Sequence, residues 1–372
     1  MNLENLVEMS NRYGRNEEFV LAGGGNTSFK ENGILYVKGS GAQLSDIKPE
    51  EFVAMDIGKL LEMIEHEYPV DMIPSERDEK ELSDMMAARL PGEEKKRPSV
   101  ESVLHAMFPY KFVLHVHPAL INGLTCGING KAICEKLFGD KAVWINAVKP
   151  GPALAQTCLK TFDSITNKSG TFPQIVFLQN HGIFIAADSV EEIDKFMDYV
   201  VETIKSRVVE SPDFEAVTTA YDMDFVNKMI SNLKQLYSGN GTATVIFNSN
   251  KQVLQFVADA EAFKPVNRAF TPDHIVNCKD EPLFVETDVD LEEEFAAYKK
   301  RKGFDPKIVA VRGFGFFAVS ENERNAKRAL SLFLDTIKIA TYAKSFGGAS
   351  PLSDELTDFI LNWEVEAYRS KV

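Results

Sequence analysis

His115 and His117 alternate within KFVLHVH (111–117). An apolar run of this kind reads as a strand, and residues i and i+2 of a strand project from one face. Two imidazoles side by side suit a single metal ion and are poorly suited to a dry core. His181 stands in Asn180-His181-Gly182, at the turn between two strand-like runs, where a side chain can project from a sheet end. Three imidazoles with one coordination position open would make a catalytic rather than a structural zinc arrangement. A His-x-His pair alone is a weak signal, and a packed strand carries one too. The other three histidines read more plainly. His66 and His274 lie in polar contexts, and His105 lies on a helix face with Ser102 and Phe108.

Glu101 opens a helix that begins near Ser99, just ahead of the His-x-His strand. An acidic residue in a first helical turn is favoured by the helix dipole alone. Near a divalent metal, the same carboxylate is a general acid/base for a hydroxyl proton. Gly23-Gly24-Gly25-Asn26-Thr27-Ser28 is a glycine turn followed by three small polar side chains, and Lys38-Gly39-Ser40-Gly41 repeats the pattern with a cation. Such turns let backbone N–H groups approach an anion, though each by itself also reads as a hairpin turn. Neither matches the glycine spacing of a dinucleotide site or a Walker loop. Taken with the histidines, they point to a ligand with a phosphate at one end and vicinal oxygens at the other.

The elements that must hold these residues alternate. Helices are expected near 1–12, 58–67, 76–90, 99–108, 152–166 and 190–207. Strands are expected at 18–22, 34–41, 52–56, 111–117, 142–147, 174–179 and 183–187. A layered α/β domain over 1–210 follows. Beyond it, helices near 222–238, 291–302, 321–345 and 352–368 alternate with strands at 242–248, 252–258, 282–287, 307–312 and 315–319. That is enough for a second, smaller α/β domain over 211–372. At roughly 150 residues per domain, 372 residues also imply about two.

The two halves share a pattern. A shift of 133 positions lays Ile175-Val176 on Ile308-Val309, Gly182 on Gly315, Phe184 on Phe317 and Thr203-Ile204-Lys205 on Thr336-Ile337-Lys338. Both copies read strand, glycine turn, strand, long helix, so the second domain is a candidate degenerate repeat. Phe314 falls where His181 stands. Any strand-turn-strand-helix unit shares this outline, so strand order and direction must decide.

With 41 basic against 55 acidic side chains and a net charge of -14, neither nucleic acid nor an anionic membrane fits the whole surface. Four cysteines at no metal-like spacing indicate a reducing compartment. There is no signal-peptide pattern and no run of about 18 apolar residues, so a soluble, cytoplasmic protein is expected.

The motifs GGGNTS (23–28), VKGSG (37–41), RPSVESVLHA (97–106), LHVHP (114–118), KPG (149–151) and NHGIFIA (180–186) resemble those of the class II aldolase/adducin family, in the family's order. GGGNTS…VKGSG…RPS-x-E is most similar to the aldolase half of bifunctional rhamnulose-1-phosphate aldolase/dehydrogenase proteins; no G-x-G-x-x-G follows residue 210. The resemblance implies a layered α/β/α aldolase sheet, Zn²⁺ on His115, His117 and His181, and Glu101 as catalytic acid/base. It places Asn26, Thr27, Ser28, Ser40, Gly41 and Ser99 around the substrate phosphate, with Lys38 as a further candidate. Many relatives carry two serines before the glutamate where this chain has Ser99-Val100, which removes one hydroxyl donor. A homo-oligomer, typically a tetramer, is implied. The expected activity is metal-dependent cleavage of a ketose 1-phosphate to dihydroxyacetone phosphate and an aldehyde, within carbohydrate metabolism. Epimerisation, dehydration or decarboxylation of a sugar phosphate on the same metal site remains open. So does a non-catalytic adducin-like module, although a scaffold has no need of three histidines and a glutamate.

Overall fold

The computed structural model describes residues 3–65, 74–217, 222–238, 241–286 and 291–363. His66, the end of the expected 58–67 helix and the tail of the expected 352–368 helix lie outside them. Two compact units divide the chain. The first holds Met1–Ile121, Lys131–Arg207 and Trp363–Val372; the second holds Asn122–Gly130 and Val208–Asn362.

The first half of the chain runs α1 (Leu3–Gly14), β1 (Asn26–Glu31), β2 (Ile34–Lys38), β3 (Phe52–Asp56), α2 (Ile57–Glu65), α3 (Pro74–Ala87), α4 (Ser102–Met107) and β4 (Phe112–Val116). It continues with α5 (Ala119–Thr125), α6 (Gly130–Phe138), β5 (Val143–Ile145), α7 (Pro152–Ser169), β6 (Ile175–Leu178), β7 (Gly182–Ala187) and α8 (Val190–Lys205). The seven strands form one sheet in the order β3-β2-β1-β4-β7-β6-β5. Only β5 and β6 pair in parallel; the other neighbours are antiparallel.

Strand alternation sorts the side chains into two layers. Val113 of β4, Val176 and Leu178 of β6, and Phe184 and Ala186 of β7 are buried with Leu104 and Phe108 beside α4 and with Leu154, Cys158 and Phe162 of α7. Ile193, Met197, Val200 and Ile204 make the buried stripe of α8, which packs with α1 on the sheet's other face. The unit is therefore a layered α/β/α structure, and His115 belongs to the face that α4 covers.

Two expected strands form otherwise. Residues 18–22 are not a strand; β1 begins at Asn26. Asn32 (φ 52°) and Gly33 (φ 79°) are the left-handed pair of a two-residue hairpin turn, and they fix Glu31 opposite Ile34 and Ser28 opposite Val37. The apolar residues ahead of the glycines fill the core from a loop, Val20 buried and Phe19 edge-on to Tyr13 at 5.2 Å. Residues 252–258 are mostly helical. The Asn250 side chain accepts from the Val253 N–H at 2.9 Å and caps a helix whose Val253 and Phe256 turn inward one turn apart.

The second half of the chain runs α9 (Met223–Ser238), β8 (Thr244–Asn248), α10 (Lys251–Phe256), α11 (Ala260–Phe263), α12 (Pro272–Cys278), β9 (Leu283–Val285), α13 (Leu291–Lys302), β10 (Ile308–Val311), β11 (Gly315–Ser320), α14 (Glu323–Ala343) and α15 (Asp354–Asn362). Its sheet runs β8-β11-β10-β9. Val309, Val311, Phe317 and Val319 pack with α9 and α13, and α14 packs along β11.

This order reproduces β4-β7-β6-β5 strand for strand. β9 and β10 are parallel as β5 and β6 are, and the other two pairings are antiparallel in both sheets. The offset of 133 carries β6, β7 and the start of α8 onto β10, β11 and the start of α14. The second unit is thus a degenerate copy of half of the first. Among the described residues it has no counterpart of β1–β3.

Candidate active site

Each site residue is set by its strand or turn. In β4, His115 lies opposite Asn26 of β1 on one side and Phe184 of β7 on the other. Its ring stacks on Phe184 with centroids 4.0 Å apart and is fully buried. Its Nδ1 lies 2.9 Å from the Ile183 carbonyl, which fixes the proton on Nδ1 and leaves the Nε2 lone pair pointing inward. His117, just past the end of β4, brings its Nε2 to 2.9 Å from that of His115. His181, in the β6–β7 turn after the left-handed Asn180 (φ 56°), brings its Nε2 to 3.3 Å. Gly182 makes room for this packing. A Cβ there would meet the Val116 carbonyl oxygen at 2.5 Å and the His117 ring at 2.6 Å.

The three imidazoles form a group able to hold a divalent metal ion, with ligand atoms within 4.8 Å of one another. His115 is sealed, whereas His117 and His181 are half-buried, so the cluster is open on one side.

Glu101 stands at the N-cap of α4, one residue before the helix begins, and its side chain makes no capping hydrogen bond. The carboxylate turns to the histidines instead. Oε1 lies 3.2 Å from His115 Nε2 and 3.4 Å from His181 Nε2. Oε1 is buried and has no hydrogen-bond partner, while Oε2 accepts from Asn26 Nδ2 at 2.6 Å. Burial alone would raise this carboxyl; positive charge held among His115, His181 and His117 outweighs it and keeps it well below the usual carboxylate range. An inward lone pair on His115 beside a buried, unpaired carboxylate oxygen is an unfavourable arrangement in a dry protein. A divalent cation satisfies both, so the residues fit the ion.

The two glycine-bearing loops lie near one another on the β2 side. Lys38 Nζ donates to the Gly23 carbonyl at 3.1 Å. Backbone bonds tie Ser40 to Arg97 at 2.7 Å and Ser99 to Lys38 at 3.1 Å. Ser40 and Ser99 are half-buried and Gly41 is exposed. Ser99 Oγ accepts from the Glu101 N–H at 3.3 Å, which joins this loop to the carboxylate. Asn26 is on Glu101 itself. Thr27 and Ser28 are engaged elsewhere: Thr27 points to the opposite sheet face and bonds Ser10 at 2.7 Å, and Ser28 Oγ bonds the His105 ring at 2.7 Å.

Sequence reasoning passed over His105. It is fully buried, its Nδ1 on Ser28 and its Nε2 on Asn26 Oδ1. The i, i+4 spacing from Glu101 was the available signal. His274, expected in a polar context, is also buried, with Nε2 3.1 Å from Asp335 Oδ2 and Nδ1 3.2 Å from Thr271.

In the second unit the same register places Phe247 opposite Phe317, as His115 lies opposite Phe184. A Cβ on Gly315 would meet the Asn248 carbonyl at 2.5 Å and Ser249 Cβ at 2.8 Å, the counterparts of the Gly182 contacts. Phe247, Ser249 and Phe314 therefore stand where His115, His117 and His181 stand, and Phe314 packs on Phe225 at 4.3 Å.

The class II aldolase and adducin N-terminal domain model matches residues 4–208. The chain is 24% identical to the uncharacterized oxidoreductase YuxG of Bacillus subtilis (strain 168), over 99% of this chain and 58% of that protein. It thus spans somewhat more than half the length of that curated relative. Among solved structures, the N-terminal class II aldolase domain of a conserved Thermoplasma acidophilum protein is 26% identical (TM-score 0.46), covering 55% of this chain and 93% of that one. An L-fuculose 1-phosphate aldolase is 16% identical (TM-score 0.37), covering 55% and 82%. YgbL of Klebsiella pneumoniae, a putative aldolase/epimerase/decarboxylase, is likewise 16% identical (TM-score 0.35), covering 55% and 86%. Among the described residues, no helix is long and apolar enough to cross a membrane.

Proposed function

The chain belongs to the class II aldolase and adducin N-terminal domain family, and on that premise we propose that it is a zinc-dependent aldehyde-lyase. Its substrate is a ketose 1-phosphate of the rhamnulose-1-phosphate kind, cleaved between C3 and C4 to dihydroxyacetone phosphate and an aldehyde. The supporting observation is the convergence of three imidazole nitrogens and the unpaired Glu101 Oε1 on one partly open point.

A divalent ion on His115, His117 and His181 would supply Lewis acidity, drawing electron density from the ketose oxygens as negative charge develops. Cleavage moves one proton, from the C4 hydroxyl to C3, and leaves all other atoms in place. Glu101 carries a proton in that transfer at Oε1, the oxygen that faces the histidines, while Asn26 holds Oε2. Oε1 has no hydrogen-bond partner of its own, so its lone pairs are open to accept it. Lys38, Ser40, Gly41 and Ser99 line the phosphate end, together with Asn26. Thr27 and Ser28 follow Asn26 along β1 beside this end, their hydroxyls engaged by Ser10 and His105. The second unit takes no part in the chemistry. We place the enzyme in the cytoplasm as a homotetramer; four buried free thiols are in keeping with a reducing compartment.

The test is release of dihydroxyacetone phosphate by the zinc-loaded protein from rhamnulose 1-phosphate and fuculose 1-phosphate, read with a coupled dehydrogenase. Release with an equal amount of aldehyde is expected. Conversion to an isomer, a dehydrated sugar or CO₂ without dihydroxyacetone phosphate would replace cleavage by another reaction of the same site.

A further inference from the structure

Resting on that reading of Glu101 as the proton carrier, we propose that His105 is a positioning residue: with Ser28 it locks the Asn26 amide so that its N–H₂ rather than its oxygen meets the Glu101 carboxylate. Glu101 and His105 are one helical turn apart, joined by the His105 N–H to the Glu101 carbonyl at 3.0 Å. Asn26 bridges their side chains, Nδ2 on Glu101 Oε2 at 2.6 Å and Oδ1 on His105 Nε2. Ser28, two residues along β1 on the same face, closes the chain at His105 Nδ1, 2.7 Å away.

Only one polarity satisfies every member. An ionised carboxylate only accepts, so Asn26 turns its N–H₂ towards it and its oxygen towards His105. His105 therefore carries its proton on Nε2, and its Nδ1 lone pair accepts the Ser28 hydroxyl. Burial keeps the ring neutral, far below the usual imidazole range, and the Lys30 ammonium adds to this. With Ser28 and His105 fully buried and Asn26 5% exposed, no bulk solvent substitutes for a missing partner. Without the Nε2 donor, Asn26 is free to rotate and present its oxygen to the carboxylate, which loses its hold on Oε2 and its aim at the histidines.

The variants are His105→Phe, which keeps a ring but no donor, and His105→Gln, whose amide nitrogen reaches the position of Nε2. Both are made in the full, zinc-loaded chain and measured for zinc content, for kcat and KM on rhamnulose 1-phosphate, and for imidazole ¹⁵N shifts. The expected result for His105→Phe is unchanged zinc content, kcat lower by about ten- to a hundred-fold, the scale on which outer hydrogen-bond partners act, and a nearly unchanged KM. Glutamine recovers most of the loss, and adding Asn26→Ala to His105→Phe costs little more than Asn26→Ala alone. The wild-type spectrum shows His105 as the neutral Nε2–H tautomer. Wild-type kcat in His105→Phe, no recovery by glutamine, or an Nδ1–H tautomer overturns the proposal. A wild-type protein that releases no dihydroxyacetone phosphate overturns the aldolase reading instead, and the tautomer still tests the hydrogen-bond chain.

Discussion

Glu101→Gln separates binding from proton transfer at a single site. Glutamine has almost the shape of glutamate, and Asn26 Nδ2, 2.6 Å from Oε2, holds an amide oxygen in that position. The new N–H₂ then occupies the place of Oε1, 3.2 Å from His115 Nε2 and 3.4 Å from His181 Nε2. It donates to a lone pair the metal needs. One neutral hydrogen bond of about 0.5–1.5 kcal/mol thus competes with the ion and weakens zinc binding by up to about tenfold. Folding changes little: a charge-assisted bond from Asn26 becomes a neutral one, a loss of about 1 kcal/mol, and the desolvation of a buried carboxylate disappears. Turnover should fall by about two to four orders of magnitude, or about 3–5 kcal/mol of barrier. Elemental analysis at saturating zinc, thermal melts and the dihydroxyacetone phosphate assay read the three quantities separately. A variant with full zinc and kcat within about threefold of the wild type would refute the role given to Glu101.

Other outcomes follow from the same structure. Gly182→Ala should lower stability by about 1–3 kcal/mol, because its Cβ meets the Val116 carbonyl at 2.5 Å; calorimetry should show this along with weaker zinc binding, and a wild-type melt with intact zinc would refute the close packing. Burial, then Asp78 and Asp84, raise Glu81 to about 7 against the opposing pull of Arg77. The folded state therefore holds a proton that the unfolded chain releases above about 4.5, and stability declines as pH rises from there to about 7. Glu81→Gln should accordingly melt higher than the wild type at pH 8 and alike at pH 4, and parallel curves at all pH values would contradict this. Phe247→His, Ser249→His and Phe314→His together should raise zinc from one to two ions per chain by elemental analysis; a stoichiometry that stays at one would show that matched backbone positions do not aim the side chains alike.

The histidine cluster was legible in the sequence because strand alternation and a glycine turn translate directly into side-chain direction. The repeat was legible for a related reason, since β10, β11 and α14 keep both spacing and apolar pattern. Residues 18–22 and 252–258 show where local pattern loses. FVLA is apolar enough for a strand, but the Asn32-Gly33 turn fixes the register of β1 farther along. QVLQFVA is apolar and valine-rich enough for a strand, but the Asn250 cap nucleates a helix. For His105 the i, i+4 spacing from Glu101 gave a shared helix face but not the partners, which lie 77 and 79 residues away on β1.

The repeat also separates recognition from reactivity. The block that both units share, four strands and their helices, carries every backbone position needed to seat three imidazoles. Asn26 and Ser28 lie on β1, outside that block, and β1 pairs with β4 on the edge that stays bare on β8 among the described residues. Histidines restored to the second unit would therefore make a zinc trap with nothing to steer a carboxylate.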